Sequence, residues 1–232
     1  MCEFDLDSPD PAAEKVVARL EAALATTNLA EAVRLYFASG SSFAAQTFDS
    51  LGFNHPDRIT SDDLLAVTLL DVSWKPSAVR AMLVEQADQV NDRLSSIDGS
   101  TTLWDGERGC EELRKADGLW RIIDALDGVG PTKTSKLLAR KRPQLVPITD
   151  RIIVAAIGHG DNWWRTLRYC FKQESFRAAV EQLQPAEEKS VTLLRVFDVA
   201  IWILCSKSQD ARKARTAAQV TQNSCHCNSF DK

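Results

Sequence analysis

Residues 126–133 read Leu-Asp-Gly-Val-Gly-Pro-Thr-Lys and lie between two segments whose apolar residues recur with helical spacing. Gly128 and Gly130 suit a turn that needs positive φ and a backbone that approaches another group closely, because glycine has no Cβ. Pro131 suits the first turn of a helix, where its missing N–H leaves no bond unmade. The stretch therefore predicts two helices joined by a glycine turn.

The predicted turn is also suited to hold a phosphate group. The N–H groups at the start of the second helix and the positive end of its dipole point toward an anion. Such a contact positions a nucleic-acid backbone without reading its bases. A turn that only joins two helices is the structural alternative. The expected backbone-binding residues are Gly128, Val129, Gly130, Thr132, Lys133 and Lys136.

Outside this stretch the apolar pattern is helical nearly throughout, and we find no convincing strand. The expected fold class is all-α, in the form of a two-lobed helical bundle. We expect an N-terminal helical lobe over 1–110, a lobe with the glycine turn over 111–220, and a disordered tail over 221–232, whose apolar content is low. Thr60 and Asp63 have the spacing of a capping box, and a single helix is predicted over about 76–97.

The composition is that of an ordinary globular protein. The chain has 232 residues, of which 44% are hydrophobic and 26% charged, and its formal net charge is -4. It contains no apolar run of the roughly 18 residues that suggest a membrane span, and its acidic N-terminus does not resemble a signal peptide. We therefore expect a cytoplasmic protein that does not associate with membranes.

Positive charge is concentrated after the glycine turn. Five basic residues and no acidic residue lie between Gly128 and Val146. Because salt limits the reach of a charge to about 10 Å, a local basic face matters more for DNA binding than the net charge does. The run predicts either a surface that faces DNA or a solvated helix face.

A single carboxylate follows the basic helix. Asp150 ends the segment Val-Pro-Ile-Thr-Asp and stands 22 residues after Gly128. One interpretation is that Asp150 caps the helix beginning at Arg151, because aspartate is a good N-cap. The other is that it presents an oxygen to a ligand. The two roles are compatible, since a capping carboxylate still has a second oxygen.

Together these segments resemble the helix-hairpin-helix (HhH-GPD) DNA glycosylase superfamily, which includes endonuclease III and the adenine-mismatch and oxoguanine glycosylases. The family pattern is Leu-Pro-Gly-Val-Gly, a helix, and a Pro-x-x-Asp segment about twenty residues on. Here residues 126–130 and 147–150 match it, with Asp127 in place of the usual proline, and the firm match covers about 35 residues. A weaker match places 64–73 on the helix before the family's active-site loop. The resemblance implies a helix-hairpin-helix DNA-binding motif, a double-stranded DNA partner and a monomer.

The resemblance also implies a mechanism. Asp150 takes the position of the catalytic aspartate, whose carboxylate stabilises the positive charge that develops on the sugar or activates a water. Members that also cleave the strand carry a lysine where this chain has Thr132, and Lys133 lies about 100° further around the helix. We therefore expect base removal without strong lyase activity.

Expectations about cofactors follow from the same resemblance. Some members bind an iron–sulfur cluster through four C-terminal cysteines, and the cysteines at 205, 225 and 227 do not match that spacing. We therefore expect no cluster, and we assign no role to the tail Cys225-His226-Cys227. No metal site is predicted, and the resemblance allows only a structural monovalent cation at the hairpin.

A base that is to be excised must leave the stack and enter a pocket with stacking surfaces. Trp74 follows the helix that the family places before its active-site loop, Asp71 and Ser73 lie beside it, and Trp104 lies in a polar loop. These four residues are the candidates for a base pocket or wedge. For both tryptophans, packing in the core is an equally good interpretation.

The predicted function is that of a monofunctional DNA glycosylase, which flips a damaged or modified base out of DNA and hydrolyses its N-glycosidic bond to leave an abasic site. The base would be a damaged one in repair, or a hypermodified phage base such as glucosylated hydroxymethylcytosine in antiphage defence. The alternative is a non-catalytic helix-hairpin-helix DNA-binding protein. A nuclease is a weaker third option, because it needs clustered carboxylates and Asp150 has none in its own segment.

Overall fold

The computed structural model describes residues 11–158, 163–186 and 190–221. Within these residues the chain is helical and forms no strand, which confirms the all-α prediction. The α-helices are α1 (Pro11–Leu24), α2 (Leu29–Phe37), α3 (Ser61–Thr68), α4 (Pro76–Arg80), α5 (Ala87–Ser95), α6 (Gly106–Asp124), α7 (Gly130–Lys141), α8 (Arg151–Ile157), α9 (Trp163–Lys172), α10 (Glu174–Glu181), α11 (Leu193–Cys205) and α12 (Gln209–Ala218). Nowhere in the described part of the chain is a helix both long and apolar enough to cross a bilayer. The tail Cys225-His226-Cys227 lies outside the described residues.

The chain divides into two compact units. The terminal unit is drawn from residues 1–41 and 150–232, and the inserted unit comprises residues 42–149. This division differs from the predicted boundary at residue 110. The physical reason is that α6 runs unbroken for 19 residues through that position and packs against α5 and α7 of the inserted unit. A boundary there would cut a helix.

The terminal unit is built around α11. Almost every side chain of α11 is buried, because α1, α2, α8, α10 and α12 pack against this helix. Phe171, Phe176 and Phe197 form an aromatic cluster with ring centroids 5.2 to 5.8 Å apart. All three are fully buried, and each contributes about 1.5–3 kcal/mol relative to an exposed side chain.

In the inserted unit, α7 packs against both α3 and α6, and α5 packs against α6. The directions of α3 and α7 are opposed. Lys136, in the middle of α7, reaches the Leu70 carbonyl just after α3, whereas Arg140, near the end of α7, reaches Asp63 near the start of α3. The apolar core of this unit includes Leu64, Val67, Val90, Leu94, Leu113, Leu119, Ile123, Leu137 and Leu138.

Two helix boundaries in the inserted unit bear on the sequence predictions. The predicted capping box is present at the start of α3, where Thr60 Oγ1 accepts from Asp63 N–H and an Asp63 oxygen accepts from Thr60 N–H. The predicted single helix over 76–97 is interrupted by a π-helical turn over Ala81–Glu85. There Gln86 N–H bonds to the Ala81 carbonyl, five residues back, at 2.8 Å. The prediction of one continuous helix over 76–97 is therefore wrong.

Candidate functional site

The predicted glycine turn joins α6 and α7. Val129 N–H bonds to the Leu126 carbonyl at 3.0 Å and closes the turn. Gly128 and Gly130 have φ values of 73° and 69°, which confirms the predicted positive φ. The Val129 side chain between them is buried, so the turn is anchored to the core while the Gly128 backbone stays exposed.

The start of α7 receives no cap from its own N-cap residue. Val129 stands at that position and has no side-chain acceptor, and Pro131 follows in the first turn. By contrast, α3 and α8 begin at Thr60 and Asp150, whose side-chain oxygens accept bonds from first-turn amides. The positive end of α7 thus faces the turn without a capping oxygen from Val129, and such a helix end favours an anion. Thr132 lies half-buried in the first turn of α7.

Lys133 folds back onto the turn. Its Nζ donates to the Gly128 carbonyl at 2.6 Å and lies 5.9 Å from the centroid of the Trp74 ring, within the range of a cation–π interaction. Trp74 is half-buried, and its Nε1 donates to the Leu64 carbonyl at 2.8 Å. The structure therefore brings together a predicted phosphate-binding residue and a predicted pocket residue.

Asp71 and Ser73 lie in the same α3–α4 connection as Trp74. Both are exposed, and Asp71 has a φ of 59°, a backbone conformation that is uncommon for a residue other than glycine. The connection is fixed to α7, because Lys136 Nζ donates to the Leu70 carbonyl at 2.7 Å. These predicted pocket residues therefore lie on the connection that contacts the start of α7.

The predicted role of Lys136 at the phosphate site needs correction. Its relative exposure is only 7%, and its ammonium group donates to a backbone carbonyl. A phosphate binds charges that it can reach from solvent, whereas this lysine fixes the α3–α4 connection from inside. The sequence pattern Lys-x-x-Lys did not distinguish the exposed position from the buried one.

The loop that carries Trp104 is bonded to the chain just after the C-terminal end of α7. The residue before it, Leu103, donates its N–H to the Gln144 carbonyl at 2.8 Å, and Gln144 follows the end of α7. Trp74, by contrast, contacts Lys133 at the start of that helix. Since α7 has 12 residues, its ends lie roughly 18 Å apart. The structure therefore places the backbone beside Trp104 at the opposite end of α7 from Trp74, and the pocket or wedge role of both tryptophans stays a prediction.

The basic residues at the end of α7 are buried. Arg140, Lys141 and Arg142 are 1%, 4% and 2% exposed. Two of them share one carboxylate, because Asp63 Oδ1 lies 2.8 Å from Arg140 Nε and Asp63 Oδ2 lies 3.0 Å from Lys141 Nζ. Their other acceptors include the backbone carbonyls of Phe48, Leu51, His55, Pro56, Leu94 and Ile97.

Both interpretations of the basic run, a DNA-facing surface and a solvated helix face, are wrong for these three residues. Buried carbonyl groups need donors, and the loop over 48–56 obtains its donors from α7. Burial lowers the pKa of Lys141 and of Arg142. The end of α7 therefore stabilises the inserted unit and leaves ligand binding to the start of the helix.

Asp150 caps α8 with one of its two carboxylate oxygens. Oδ1 accepts from Ile152 N–H at 2.8 Å and from Ile153 N–H at 2.9 Å, which confirms the capping interpretation. Oδ2 accepts no hydrogen bond from the described residues, and it is not among their buried, unsatisfied polar atoms. The carboxylate therefore keeps one oxygen for another partner.

The residue before Asp150 is fastened to α7. Ser135 Oγ lies 2.9 Å from the Thr149 carbonyl oxygen and accepts from Thr149 N–H at 3.0 Å. Ser135 lies one helical turn after Thr132. Thr149, the last residue of the inserted unit, is thus fixed to α7.

Residues 29–204, about three-quarters of the chain, match the model of a family of unknown function (DUF6308). This chain belongs to the DUF6308 family. No curated protein and no solved structure matches it. The part that matches DUF6308 extends from α2 to α11 and contains both the glycine turn and Asp150.

The monovalent cation that the resemblance allowed at the hairpin of this DUF6308 protein stays a prediction. Such a cation would need carbonyl oxygens of the turn as ligands. The Gly128 carbonyl already accepts from Lys133 Nζ, and the Leu126 carbonyl accepts from Val129 N–H. The ammonium group of Lys133 thus supplies positive charge at the turn. In the ranges that the structure describes, no three His, Cys, Asp or Glu side chains are grouped to hold a metal.

Sequence reasoning missed the contacts of Asp127, the residue in the family's proline position. Asp127 Oδ1 lies 2.8 Å from Lys75 Nζ, and its Oδ2 accepts from Ser77 Oγ at 3.2 Å. The hydrogen bond from Lys75 lowers the pKa of the Asp127 carboxyl. Since Lys75 precedes Asp127 by 52 residues, no local pattern connects the two, and only the fold brings them together.

Proposed function

We propose that this DUF6308 protein is a monofunctional DNA glycosylase, which binds double-stranded DNA, flips out a modified base and hydrolyses its N-glycosidic bond. The observation that supports this proposal best is the glycine turn before α7. It combines an exposed backbone at Gly128, a helix start without a capping side chain, and the ammonium group of Lys133. This is a set of groups that holds a phosphate.

The turn is suited to a DNA backbone because both backbone groups and side chains supply positive charge there. Helix dipole and amide groups attract an anion at short range, and lysine side chains add charge that screening by salt does not remove at contact distance. None of these groups reads a base edge, so binding here positions the duplex irrespective of sequence. Trp74 offers an aromatic surface, on which an unstacked base can rest.

Asp150 is the residue to which we assign the chemistry. Cleavage of a glycosidic bond develops positive charge on the sugar, and a fixed carboxylate stabilises that charge or orients the attacking water. Oδ1 is held by two amides, and this leaves Oδ2 for the reaction.

We assign no strong lyase activity to the protein. A Schiff base with the sugar requires an amine that reaches the reacting carbon, and Thr132 occupies the position of the lyase lysine. Lys133, the next residue, directs its amine onto the Gly128 carbonyl and the Trp74 ring. A borohydride-trapped adduct with abasic DNA that is lost in Lys133→Ala would contradict this assignment.

The substrate we propose is a damaged base in repair or a hypermodified phage base in defence, and one experiment addresses both. The purified full-length chain is incubated with duplexes that carry damaged bases and with phage DNA containing glucosylated hydroxymethylcytosine, and released bases are identified by mass spectrometry. We expect one class of base to be released. Release of no base from any of these DNAs would refute the proposal.

The second candidate is a non-catalytic DNA-binding protein, and a specific observation favours it. The two hydrogen bonds from α8 amides account for Asp150 as a structural cap without any catalytic role. The variant Asp150→Asn separates the candidates, since asparagine is an equally good cap. A glycosylase loses base release in this variant and keeps DNA binding, whereas a binding protein releases no base in either form.

A further inference from the structure

Asp127, next to Gly128 in the glycine turn, pairs with Lys75 on the protein surface. The two charged groups are 2.8 Å apart, and Ser77 Oγ donates to the second carboxylate oxygen at 3.2 Å. Both side chains are largely exposed, at 56% for Lys75 and 68% for Asp127. The pair therefore lies on the surface to which we assign the phosphate contact.

The aliphatic part of Lys75 lies directly on the turn. A Cβ added to Gly128 would come within 2.4 Å of Lys75 Cδ, so the space that glycine leaves open is filled by the lysine. Lys133 donates to the carbonyl of the same Gly128. Two lysines thus converge on one peptide group, and the ammonium group of Lys75 is paired with a carboxylate.

This arrangement places an anion of the protein where a phosphate would bind. A phosphate that approaches the turn meets the negative charge of Asp127 and a lysine that is already paired. Exposed ion pairs are weak, because both ions are well hydrated and the pair is screened by salt. A phosphate can therefore replace the carboxylate on Lys75, but the repulsion by Asp127 reduces the affinity.

We propose that Asp127 is a built-in competitor of the DNA phosphate: it occupies Lys75 in the free protein, and Lys75 exchanges it for a backbone phosphate when DNA binds. The inference rests on the proposed DNA binding. It adds Lys75 to the phosphate-binding residues and makes Asp127 the residue that limits the affinity. If the pair only stabilised the turn, loss of either partner would weaken binding.

The test measures the binding of a short fluorescein-labelled DNA duplex by anisotropy over a range of salt concentrations. The proteins are the full-length wild type, Asp127→Asn, Lys75→Gln and the double variant. The matched control is Asp117→Asn, which removes an exposed, paired carboxylate from α6 of the same unit. Thermal unfolding of each protein checks that it is folded.

We expect Asp127→Asn to bind about fivefold more tightly at low salt, since removal of one like charge at contact distance has about this effect. Lys75→Gln should bind more weakly and lower the salt slope by about one, as expected for one lost phosphate contact. In the Lys75→Gln background, the gain from Asp127→Asn should be smaller than in the wild-type background, because the competition for the Lys75 ammonium group is gone and only the direct repulsion by Asp127 remains.

The other outcomes separate this inference from the proposed function. Weaker or unchanged binding by Asp127→Asn, with a wild type that binds DNA, overturns the competitor role and leaves the proposed DNA contact intact. An undiminished gain in the double variant overturns the role of Lys75. If none of the proteins binds the duplex at any salt concentration, both the competitor role and the proposed DNA contact are overturned.

Discussion

The two ends of α7 carry the same kind of residue in different environments. At its start, Lys133 lies half-buried on a glycine turn and faces an aromatic ring and a backbone carbonyl. At its end, Arg140, Lys141 and Arg142 are buried and bonded to Asp63 and to loop carbonyls. One basic helix therefore contains a candidate ligand site and a structural cluster.

This difference shows that a run of basic residues in a sequence does not indicate which of their side chains are buried and which are exposed. The buried cations follow from the loop over 48–56, whose inward carbonyls need donors. A buried charge is tolerated only when it is paired and hydrogen-bonded. At the start of α7, Lys133 donates to the glycine turn and remains half-buried.

The largest effect is expected for Asp63→Asn. Asp63 is fully buried and is the carboxylate shared by Arg140 and Lys141. Its neutralisation leaves two buried cations without a counter-charge, which should lower the free energy of unfolding by about 3–5 kcal/mol. Urea unfolding followed by circular dichroism measures the change. The control Asp117→Asn, in an exposed pair, should change it by less than about 0.5 kcal/mol. A similarly small loss for Asp63→Asn would show that the cluster is not held by this carboxylate.

A comparison of Lys133→Met with Lys136→Met tests whether the lysine at the start of α7 contacts DNA while the lysine in its middle only stabilises the fold. Lys136→Met removes the donor to the part-buried Leu70 carbonyl, which should cost about 1–3 kcal/mol of stability and leave the salt slope of DNA binding unchanged. Lys133→Met should have little effect on stability and lower the slope by about one. The same two assays, unfolding and DNA binding, give both quantities. The reverse pattern would restore the sequence-based role of Lys136.

A smaller effect is expected for the change of the free energy of unfolding with pH that Lys141 causes. Burial lowers the pKa of Lys141 below its ordinary 10.5. Between the lowered value and 10.5, the unfolded chain binds more protons than the folded chain, so the free energy of unfolding rises with pH. Wild type should therefore gain stability relative to Lys141→Met as the pH rises toward 10.5. A relative loss over this range would mean that the attraction of Asp63 outweighs burial.

Local rules were enough to predict the features that depend on neighbouring residues. The positive φ of Gly128 and Gly130, the capping box at Thr60 and the cap at Asp150 each follow from the preferences of a few adjacent residues. The all-α class follows from the spacing of apolar residues along the whole chain. The glycine turn and the two caps are each encoded within a few neighbouring residues, and the helical class by a pattern that repeats every few residues.

Features that depend on distant residues were not predicted. The burial of Arg140 and Lys141 depends on Asp63, nearly eighty positions earlier. The contacts of Lys75 with Asp127 and of Lys136 with Leu70 likewise join residues far apart in the chain. The division into units depends on where the chain leaves the terminal unit and where it returns to it. The spacing of apolar residues does not indicate these two positions.

We propose that the glycine turn binds DNA and that Asp150 is the residue that removes the base. The most direct measurement quantifies, in the same samples, released base by mass spectrometry and bound duplex by anisotropy. The proteins are wild type, Asp150→Asn and the control Asp210→Asn, which changes an exposed first-turn aspartate of α12. We expect wild type and Asp210→Asn to release base, and Asp150→Asn to bind DNA with unchanged affinity but release none. Base release by Asp150→Asn at the wild-type rate, or no release by wild type, would contradict the claim.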